Sequence, residues 1–553
     1  MKNIIKATIV LGAAALLASG CIKETFPTGS TQTKDQVSKQ PSAIDGLLNS
    51  IPAAMVTTGT AGHLSSYDVH YDFGIGAIHM ATEFMLEDIA TLGDNPGYNR
   101  FYVWCLNQAQ GDTYISCAYF WDCYYPWIKA CNDVISLIDP ETELAQSQSQ
   151  LGQALAYRAS FYLDLARLYI PKENKYIPIP DEIKELTVPI VTEKTSEQDA
   201  NNNPRAKRSD MYEFILSDLA LAEKLLAGKS LGYNTPNLGV VYGLMARAYL
   251  EMGADGDEGA YEKAITYADL AISTSGKTPL TQSEWQDPVN GFNNGAANNS
   301  WMWGIGCTSE NFNNICCQAA MLCCEGQWGY APLSQLGLNK ATYEKIKDGD
   351  FRKASWLDAN AQAHAPLAGS AADGKVFLYG NEDLQIPAAK PYESIKFRPA
   401  QGNCTNYTVG NAIDAVMMRV EEMWFIKMEA LAQSGKLPEA TALLKQFMDL
   451  RILDGSYSTA KLGDLDSFID EMFFQKRVEF WGEGILIFDY KRLDKGITRG
   501  YEGTNHPLVW AFNCEGRSPQ WNIVITRGEY QSNTAIVNNP DPSQFTKNWT
   551  GAE

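Results

Sequence analysis

Apolar residues recur at helical spacing along much of the chain, and this pattern predicts a mainly α-helical fold. Ser209 is expected to cap one of the helices, and Pro126 is expected to begin or kink another. Alanines lie where neighbouring helices would cross, which is typical of degenerate tetratricopeptide-like hairpins; regular ones repeat about every 34 residues. Helices are predicted at 75–87, 120–138, 151–169, 211–226, 240–252, 261–273, 416–433 and 438–452.

One further stretch, 467–493, places charged residues beside large aromatic ones. Ser467 and Asp470 have capping-box spacing, so a helix is predicted to begin near Ser467 and to bury one apolar face. Gly482 and Gly484 interrupt this helix and permit a tight turn. Because an unpaired buried charge is costly, three charged residues are expected to form ion pairs inside the protein: Arg477, Glu479 and Asp489.

Regular helical patterning is scarce between about 276 and 410, where Asn, Gly, Pro and Ser become frequent. Residues 301–305 are predicted to form a short strand whose two tryptophans pack in the core. The polar run 88–97 is predicted to be a loop, and the aromatic-rich segment 98–104 follows it. Long irregular segments in compact proteins are usually functional when they are not disordered.

The first residues have the pattern of a bacterial lipoprotein signal. The apolar run 4–18 is shorter than the about 20 residues of a membrane-spanning helix, and small residues lead from it to Cys21. Cleavage after Gly20 and lipidation of Cys21 are expected; the alternative is a simple secretory signal. Residues 21–40 are rich in Thr, Ser, Lys and Gln and would form a tether.

Composition narrows the classes of partner. The net charge of −20 argues against nucleic-acid binding and against a domain held on anionic lipid by charge alone. Aromatic residues make up 11% of the chain, and a surplus of them suits a surface that stacks on sugar rings.

Sequence signals of catalysis or metal binding are weak. No His-Glu-x-x-His or Gly-x-Ser-x-Gly motif is present. The acidic pairs at 83/87 and 421/422 are expected to be a solvated face or ion-pair partners. The cysteine pairs at 316–317 and 323–324 fit no common zinc finger, which favours disulfides or apolar thiols. Asp255 and Asp257 are expected to form a hairpin turn and not a calcium loop.

Residues 475–492 resemble the Glu-Arg-Arg-x-Glu-Leu…Glu-Gly…Phe-Asp-Leu-x-Arg signature of SusD/RagB-type lipoproteins. Gln475 stands where an acid is usual, and Leu486 stands where arginine is usual. Segments 156–169, 350–352, 420–430 and the part from 521 onward are similar to other elements of that family. The signature residues that fit are Lys476, Arg477, Glu479, Glu483, Gly484, Phe488, Asp489 and Arg492.

The resemblance implies a cell-surface, lipid-anchored protein of the outer membrane that captures an oligosaccharide or another nutrient without a cofactor or catalysis. Its implied partner is a SusC-like TonB-dependent transporter. The implied organisation is a signal peptide (1–20), a lipidated tether (21–40) and one SusD-like domain (41–553), with helical parts at 41–275 and 411–553 and an irregular ligand-facing part at 276–410.

A carbohydrate site needs flat apolar faces together with a few amides or charges, and two regions offer both. The family commonly places ligand contacts in the corresponding loops. Two rival functions stay open: a tetratricopeptide-type peptide-binding scaffold or adhesin, and, less favoured, an exported glycan hydrolase. The predicted ligand-binding residues are Asp94, Asn99, Arg100, Tyr102 and Trp104 in the first region, and Gln327, Trp328 and Tyr330 in the second.

Overall fold

The computed structural model shows a mainly helical protein in which three short antiparallel sheets lie among paired helices. This confirms the predicted fold class. No helix within the described residues is long and apolar enough to cross a membrane. The structure describes residues 37, 40–57, 71–92, 110–310, 317–326, 330–363, 389–543 and 545.

The elements follow one another in an order that keeps most long helices outside the irregular middle part. The helices are α1 (Pro41–Val56), α2 (Ile75–Phe84), α3 (Ile115–Ile135), α4 (Ala145–Tyr169), α5 (Glu197–Ala200), α6 (Arg208–Leu226), α7 (Leu238–Ala254), α8 (Ala260–Ser275), α9 (Gln282–Gln286), α10 (Gln318–Leu322), α11 (Tyr330–Ser334), α12 (Lys340–Lys345), α13 (Tyr407–Gly410), α14 (Val420–Gln433), α15 (Leu437–Asp449), α16 (Leu465–Phe480), α17 (Leu486–Arg492) and α18 (Arg527–Ser532). Short 3₁₀ helices lie at Asp181–Ile183, Phe351–Ser355, Ala400–Gly402, Leu508–Trp510 and Pro519–Trp521.

Each sheet is a pair of antiparallel strands. In the first two pairs the strands are distant in sequence, and in the third they are joined by a local loop. The pairs are β1 (Ile89–Thr91) with β3 (Leu336–Leu338), β2 (Trp301–Ile305) with β4 (Ala415–Arg419), and β5 (Ile497–Thr498) with β6 (Asn513–Cys514). The strand predicted at 301–305 is confirmed, and both of its tryptophans are buried in the core as predicted.

The antiparallel helices pack closely because small residues lie where they cross. Gly152 of α4 lies against Leu226 of α6, and a Cβ on this glycine would come within 2.8 Å of the leucine side chain. The helices predicted within α4, α6, α7 and α8 are confirmed. The crossing alanines of α7 and α8 are fully buried: Ala246, Ala248, Ala264, Ala268 and Ala271.

Two helix starts differ from the prediction. Ser209 does not cap α6, because the helix begins at Arg208 and the Ser209 hydroxyl donates to Asp210. Pro126 does not begin α3, which starts at Ile115 and continues past the proline. Buried aromatic residues on both sides of the proline, including Trp121 and Trp127, stabilise this helix through tertiary packing.

The predicted helix 416–433 is a strand followed by a helix. Residues up to Arg419 form β4 and pair with β2, and α14 begins only at Val420. The residues of β4 are almost all buried, so side chains on both faces of the strand are apolar or paired. A short buried strand has the same apolar pattern as a buried helix. The predicted helix 75–87 also ends early, at Phe84, and the predicted loop 88–97 begins with strand β1.

Helix α16 begins before the predicted position. Asp464 is its N-cap, and its carboxylate accepts from the amide of Ser467 at 2.9 Å, so Ser467 is not the cap. The predicted turn is confirmed: Gly482 and Gly484 both have φ of 77°, and a Cβ on Gly484 would lie 2.5 Å from His79. The apolar face predicted for α16 is buried: Phe468, Met472 and Phe473.

Candidate functional site

The short ladder of β1 and β3 pairs the chain that precedes one predicted ligand-binding region in sequence with the chain that follows the other. Thr91 lies opposite Leu336 in this ladder. One residue further, the amide of Leu92 donates to the carbonyl of Gln335 at 2.8 Å. We call the ladder and its flanking backbone the platform, and it consists of residues 88–92, 335–338 and 392–394.

The third part of the platform pairs with the free edge of β3. The amide of Leu338 donates to the carbonyl of Tyr392 at 3.0 Å, and the amide of Ser394 donates to the carbonyl of Leu336 at 3.2 Å. Gly337 permits this close approach, because a Cβ there would lie 2.3 Å from the Tyr392 oxygen. β3 is therefore hydrogen-bonded on both edges, which makes it the rigid centre of the platform.

The predicted ligand-binding residues lie next to the platform in sequence. Asp94 follows Leu92 by two positions, and Tyr330 precedes Gln335 by five. Tyr330 is the first residue of α11, and only its backbone is described. The remaining predicted residues fall outside the described ranges, as does the predicted lipidation site Cys21: Asp94, Asn99, Arg100, Tyr102, Trp104, Gln327 and Trp328.

Arg477 fixes the start of the platform. Its guanidinium donates to the Asp88 carboxylate from Nε at 2.7 Å and from Nη2 at 2.6 Å. The Thr342 hydroxyl donates to the same carboxylate, and the indole of Trp481 donates to the Asp88 carbonyl at 3.0 Å. Asp88 immediately precedes β1, so a residue of the 475–492 segment binds the residue next to the start of that strand.

Glu87 provides a second buried carboxylate for Arg477. Its oxygens lie 2.5 Å from the Arg477 guanidinium and 3.2 Å from the Tyr490 hydroxyl, and they accept from the amide of Thr498. Burial raises the pKa of Glu87, while Arg477 acts in the opposite direction. Burial disfavours the charged form of Arg477, but Asp88 and Glu87 outweigh it and raise the pKa of this guanidinium.

Lys396 attaches the third part of the platform to the turn after α16. Its ammonium donates to the carbonyls of Glu479 and Trp481 at 2.8 and 2.9 Å and to the Glu483 carboxylate at 2.7 Å. Burial lowers the pKa of Lys396 to about 8, although the nearby Glu483 raises it. All three ammonium protons are used, so Lys396 stabilises this connection and is not available to a ligand.

A buried bidentate pair joins the chain before residue 327 to the chain after residue 394. The Arg398 guanidinium donates to the Glu325 carboxylate from Nε at 2.6 Å and from Nη2 at 2.8 Å, and both side chains are buried. Bidentate pairs of this kind restrict geometry as well as supplying energy. The sequence reasoning did not select these two residues, although charges within the apolar run 395–398 were a usable signal.

The ion pairs predicted inside the 467–493 stretch are confirmed. Glu479 lies 3.1 Å from both Arg352 and Arg419 and 2.9 Å from Arg451, and all four side chains are 0% exposed. Burial opposes the charge of Glu479, but the three arginines keep the pKa of its carboxyl well below the usual range. Arg477 pairs with Asp88 and Glu87, and Asp489 pairs with Lys476 and Arg492.

The other candidate chemical groups have structural roles. Of the two alternatives for the acidic pairs, the solvated face is wrong: Glu421 pairs with Arg419 and Arg451, and Glu422 pairs with Arg247. Asp255 and Asp257 lie in a turn between α7 and α8, as predicted, and they pair with Lys172 and Arg208. The thiols at 323 and 324 are buried among apolar residues, and burial raises their pKa values. Within the described part of the chain, no group of three or more His, Cys, Asp or Glu residues could hold a metal ion.

Glu83 makes stability depend on pH. Its carboxyl is buried, accepts from the Gly484 amide at 2.9 Å, and has a pKa that burial raises to about 8. The folded protein therefore binds a proton that the unfolded chain releases near pH 4.5. This contribution to stability is present below pH 4.5 and is lost as the pH rises to about 8.

We expect Glu83→Gln to remove this pH dependence, because the amide stays neutral. Relative to the wild type, the free energy of unfolding of the variant should rise between pH 4.5 and 8, by on the order of 4 kcal/mol at most. Urea unfolding followed by circular dichroism at several pH values measures this difference. Glu213→Gln, at an exposed site, is the control. If the free energies of unfolding of Glu83→Gln and the wild type differed by the same amount at every pH, the expectation would be contradicted.

Comparisons with known proteins identify a family model and a fold that this chain resembles. A SusD-like family model described as "Starch-binding associating with outer membrane" matches residues 69–250. The comparison with curated proteins found no match.

Solved structures with the same fold cover most of the chain. A SusD-like carbohydrate-binding protein from Bacteroides vulgatus aligns with a TM-score of 0.67 and 21% identity, over 90% of this chain and 97% of its own. A SusD superfamily protein from Bacteroides thetaiotaomicron aligns with a TM-score of 0.66 and 18% identity, over 90% of this chain and 99% of its own. Surface glycan-binding protein A from the same species aligns with a TM-score of 0.62 and 16% identity, over 90% of this chain and 98% of its own. At these identities the likeness shows a shared fold.

Proposed function

We propose that this chain, which a SusD-like family model matches over residues 69–250, is a SusD/RagB-like glycan-binding lipoprotein of the outer membrane. It captures an oligosaccharide at the cell surface and delivers it, uncleaved, to a SusC-like TonB-dependent transporter. Lipid attached to Cys21 anchors it, and residues 21–40 are the tether between the anchor and the fold. The SusD-like proteins of known structure that bind carbohydrate or glycan support this ligand class.

The observation that carries the proposal is the hydrogen bond between Leu92 and Gln335. These residues flank the two predicted ligand-binding regions, which are separated by more than 200 positions in the sequence. Pairing of β1 with β3 brings the attachment points of the two regions together on one rigid support. Binding residues are commonly placed on loops that a rigid scaffold positions. The two regions are proposed to form one site.

Two aromatic residues are proposed to stack on sugar rings, Trp104 from the first region and Trp328 from the second. The charged and amide groups near them are proposed to recognise hydroxyls: Asp94, Asn99, Arg100 and Gln327. Tyr102 and Tyr330 complete the proposed set. Stacking with hydrogen bonds gives selectivity without a reaction, and neither cofactor nor metal is needed for it.

A glycan panel tests this function. Purified protein should bind at least one oligosaccharide, and Trp104→Ala or Trp328→Ala should weaken the binding at least about tenfold, equivalent to about 1.4 kcal/mol. Isothermal titration calorimetry measures the affinity, and binding should persist after chelation. A reducing-sugar assay on the same mixtures should find no new ends.

The control substitution is Tyr267→Ala. Tyr267 stacks on Tyr249 at 5.4 Å on the surface of the α7–α8 hairpin, far in sequence from both predicted regions. Glycan affinity should be unchanged in this variant. New reducing ends would replace the proposal with a hydrolase, and the absence of any glycan binding would reject it.

A further inference from the structure

An open cleft of about 750 Å³ adjoins the start of the platform, where Glu87 lines it, and it contains none of the predicted ligand-binding residues. One wall is helix α16, and the rest of the lining comes from the end of α12, the segment before α16 and strand β5. Its volume lies within the range of about 300–1,000 Å³ that is typical of ligand sites. The lining residues that bear on binding are Lys345, Lys461, Glu471, Phe474, Arg477 and Thr498.

Three side chains of α16 form a stripe along this cleft. Glu471, Phe474 and Arg477 follow one another at intervals of three residues, so they lie on neighbouring turns of one side of the helix. The outer two are separated by about 9 Å along the helix axis, at a rise of about 1.5 Å per residue. All three are half-buried, so each keeps part of its surface open. A ligand that lies along α16 meets them in this order.

The two ends of the stripe have accessible hydrogen-bonding atoms of opposite kind. Glu471 Oε1 accepts from the Tyr457 hydroxyl at 2.8 Å and from the Gln475 side-chain amide at 2.9 Å, while its Oε2 is accessible and has no donor among the described residues. The Nε and Nη2 atoms of Arg477 are engaged by its two buried carboxylates and a threonine hydroxyl. Its Nη1 is accessible and has no acceptor in the described part of the chain. One end therefore accepts and the other donates.

Between these ends, Phe474 supplies apolar ring surface. Its side chain is half-buried, and it makes no ring or cation–π contact with any described residue. The neighbouring Phe473 differs, because it is buried and packs edge-on against Tyr490 with ring centres 4.8 Å apart. Of the two phenylalanines that line the cleft, Phe474 is thus the one with a ring available to a ligand.

The charges around the cleft nearly balance, which favours a ligand with hydroxyl groups over a simple anion. Lys345 and Lys461 are exposed and have no ion-pair partner among the described residues, so their ammonium groups can donate. An acceptor-only anion such as sulfate would satisfy these donors but leave the Oε2 atom of Glu471 unmatched. A hydroxyl both donates and accepts, so a polyhydroxylated chain matches every group. The ionic side chains that line the cleft are Lys345, Lys461, Arg477 and Lys495 with Glu87, Asp470 and Glu471.

We propose that this cleft is a second glycan-binding site, in which a short neutral oligosaccharide lies along α16. One ring packs on Phe474, a hydroxyl on one side of it donates to Glu471, and a hydroxyl on the other side accepts from Arg477. The choice of a sugar as ligand rests on the proposed glycan-binding function. The need for more than one ring follows from the separation of Glu471 and Arg477 along the helix.

The experiment uses the full chain with Trp104→Ala and Trp328→Ala combined, so that the proposed main site is removed. Maltotriose, cellotriose and N,N′,N″-triacetylchitotriose are titrated by ligand-observed NMR, with D-glucose and N-acetyl-D-glucosamine as the corresponding single sugars. At least one trisaccharide should bind with a dissociation constant of about 1 mM or less, and its single sugar at least about tenfold more weakly. The absence of saturable binding by every trisaccharide, or equal affinity of the single sugar, would overturn the proposal.

Two further substitutions in this background locate the bound trisaccharide. Phe474→Ala removes the ring, and Thr498→Trp fills the cleft from an exposed position; each should weaken binding at least about tenfold. The matched controls are Phe214→Ala, at a half-buried phenylalanine of α6, and Thr266→Trp, at an exposed threonine of α8, and both should leave the affinity unchanged. Circular dichroism verifies folding, and either correctly folded cleft variant suffices. Arg477 is kept in every variant because its substitution also alters the platform.

Comparison with the wild type separates the two proposals. If the wild type binds a trisaccharide and the double tryptophan variant does not, the second site is wrong, although the glycan-binding function stands. If the folded cleft variants keep full affinity, the second site is also wrong. If the double tryptophan variant binds as tightly as the wild type and Phe474→Ala abolishes this binding, the proposed main site fails and the cleft remains.

Discussion

Glu479→Gln is expected to lower the free energy of unfolding by about 3 kcal/mol, near the lower end of the range for breaking a buried ion pair. Glu479 lies at the centre of a cluster in which Arg352, Arg419 and Arg451 are fully buried. Removing its charge leaves one positive charge without compensation in a region that excludes water. The loss should not exceed the range, because other carboxylates still contact each arginine.

The charge balance of the cluster explains why one carboxylate matters so much. The cluster contains four cations and four carboxylates, so it is neutral only when each member is present: Arg352, Lys396, Arg419 and Arg451 with Asp350, Glu421, Glu479 and Glu483. Urea unfolding at pH 7 measures the loss in free energy of unfolding that Glu479→Gln causes. The control, Glu213→Gln, changes an exposed residue and should alter stability by no more than about 0.5 kcal/mol. A loss of the same small size for Glu479→Gln would show that the cluster does not stabilise the fold.

Arg477→Met is expected to destabilise the protein by about 3 kcal/mol and to loosen one particular strand. The substitution keeps an apolar stem but leaves the Asp88 and Glu87 carboxylates buried without their cation. Asp88 immediately precedes β1, so the strand loses the contact next to its start. Hydrogen–deuterium exchange should accelerate most in peptides that contain residues 88–92.

Arg492→Met is the matched control for this expectation. Arg492 is also a buried arginine of the 475–492 segment, and it pairs with Glu429 and Glu251 in the helical part. Its loss should cost a similar free energy of unfolding but leave exchange in β1 as in the wild type. Faster exchange of β1 in both variants would mean that the effect of Arg477→Met is general destabilisation.

The long helices could be predicted because their patterns are local. Residues 211–226 and 261–273 carry apolar positions at helical spacing, and no distant partner is needed to recognise them. Strand β4 was missed because its apolar residues continue without a break into α14, and its partner β2 lies more than 100 residues earlier. The cap of α16 was misplaced because Asp464 and Ser467 are both good capping residues three positions apart.

The platform could not be predicted at all. β1 and β3 have three residues each, and neither has a pattern that differs from a loop. Their pairing depends on contacts from the far end of the chain, such as that of Arg477 with Asp88. The sequence did predict that Arg477 is an internal ion-pair partner, since charges beside aromatic residues need compensation, but it did not indicate which carboxylate would be the partner. The choice of Trp104 and Trp328 rests on aromatic density and family resemblance and stays a prediction.

One titration tests most directly whether the 475–492 segment positions the proposed glycan site. The oligosaccharide that binds best in the panel is titrated into wild-type protein, Arg477→Met and Arg492→Met, at a temperature where all three are folded. We expect Arg477→Met to bind at least about tenfold more weakly and Arg492→Met to stay within about threefold of the wild type, a difference of about 0.7 kcal/mol. Equal affinities of the wild type and folded Arg477→Met would show that the segment does not position the site.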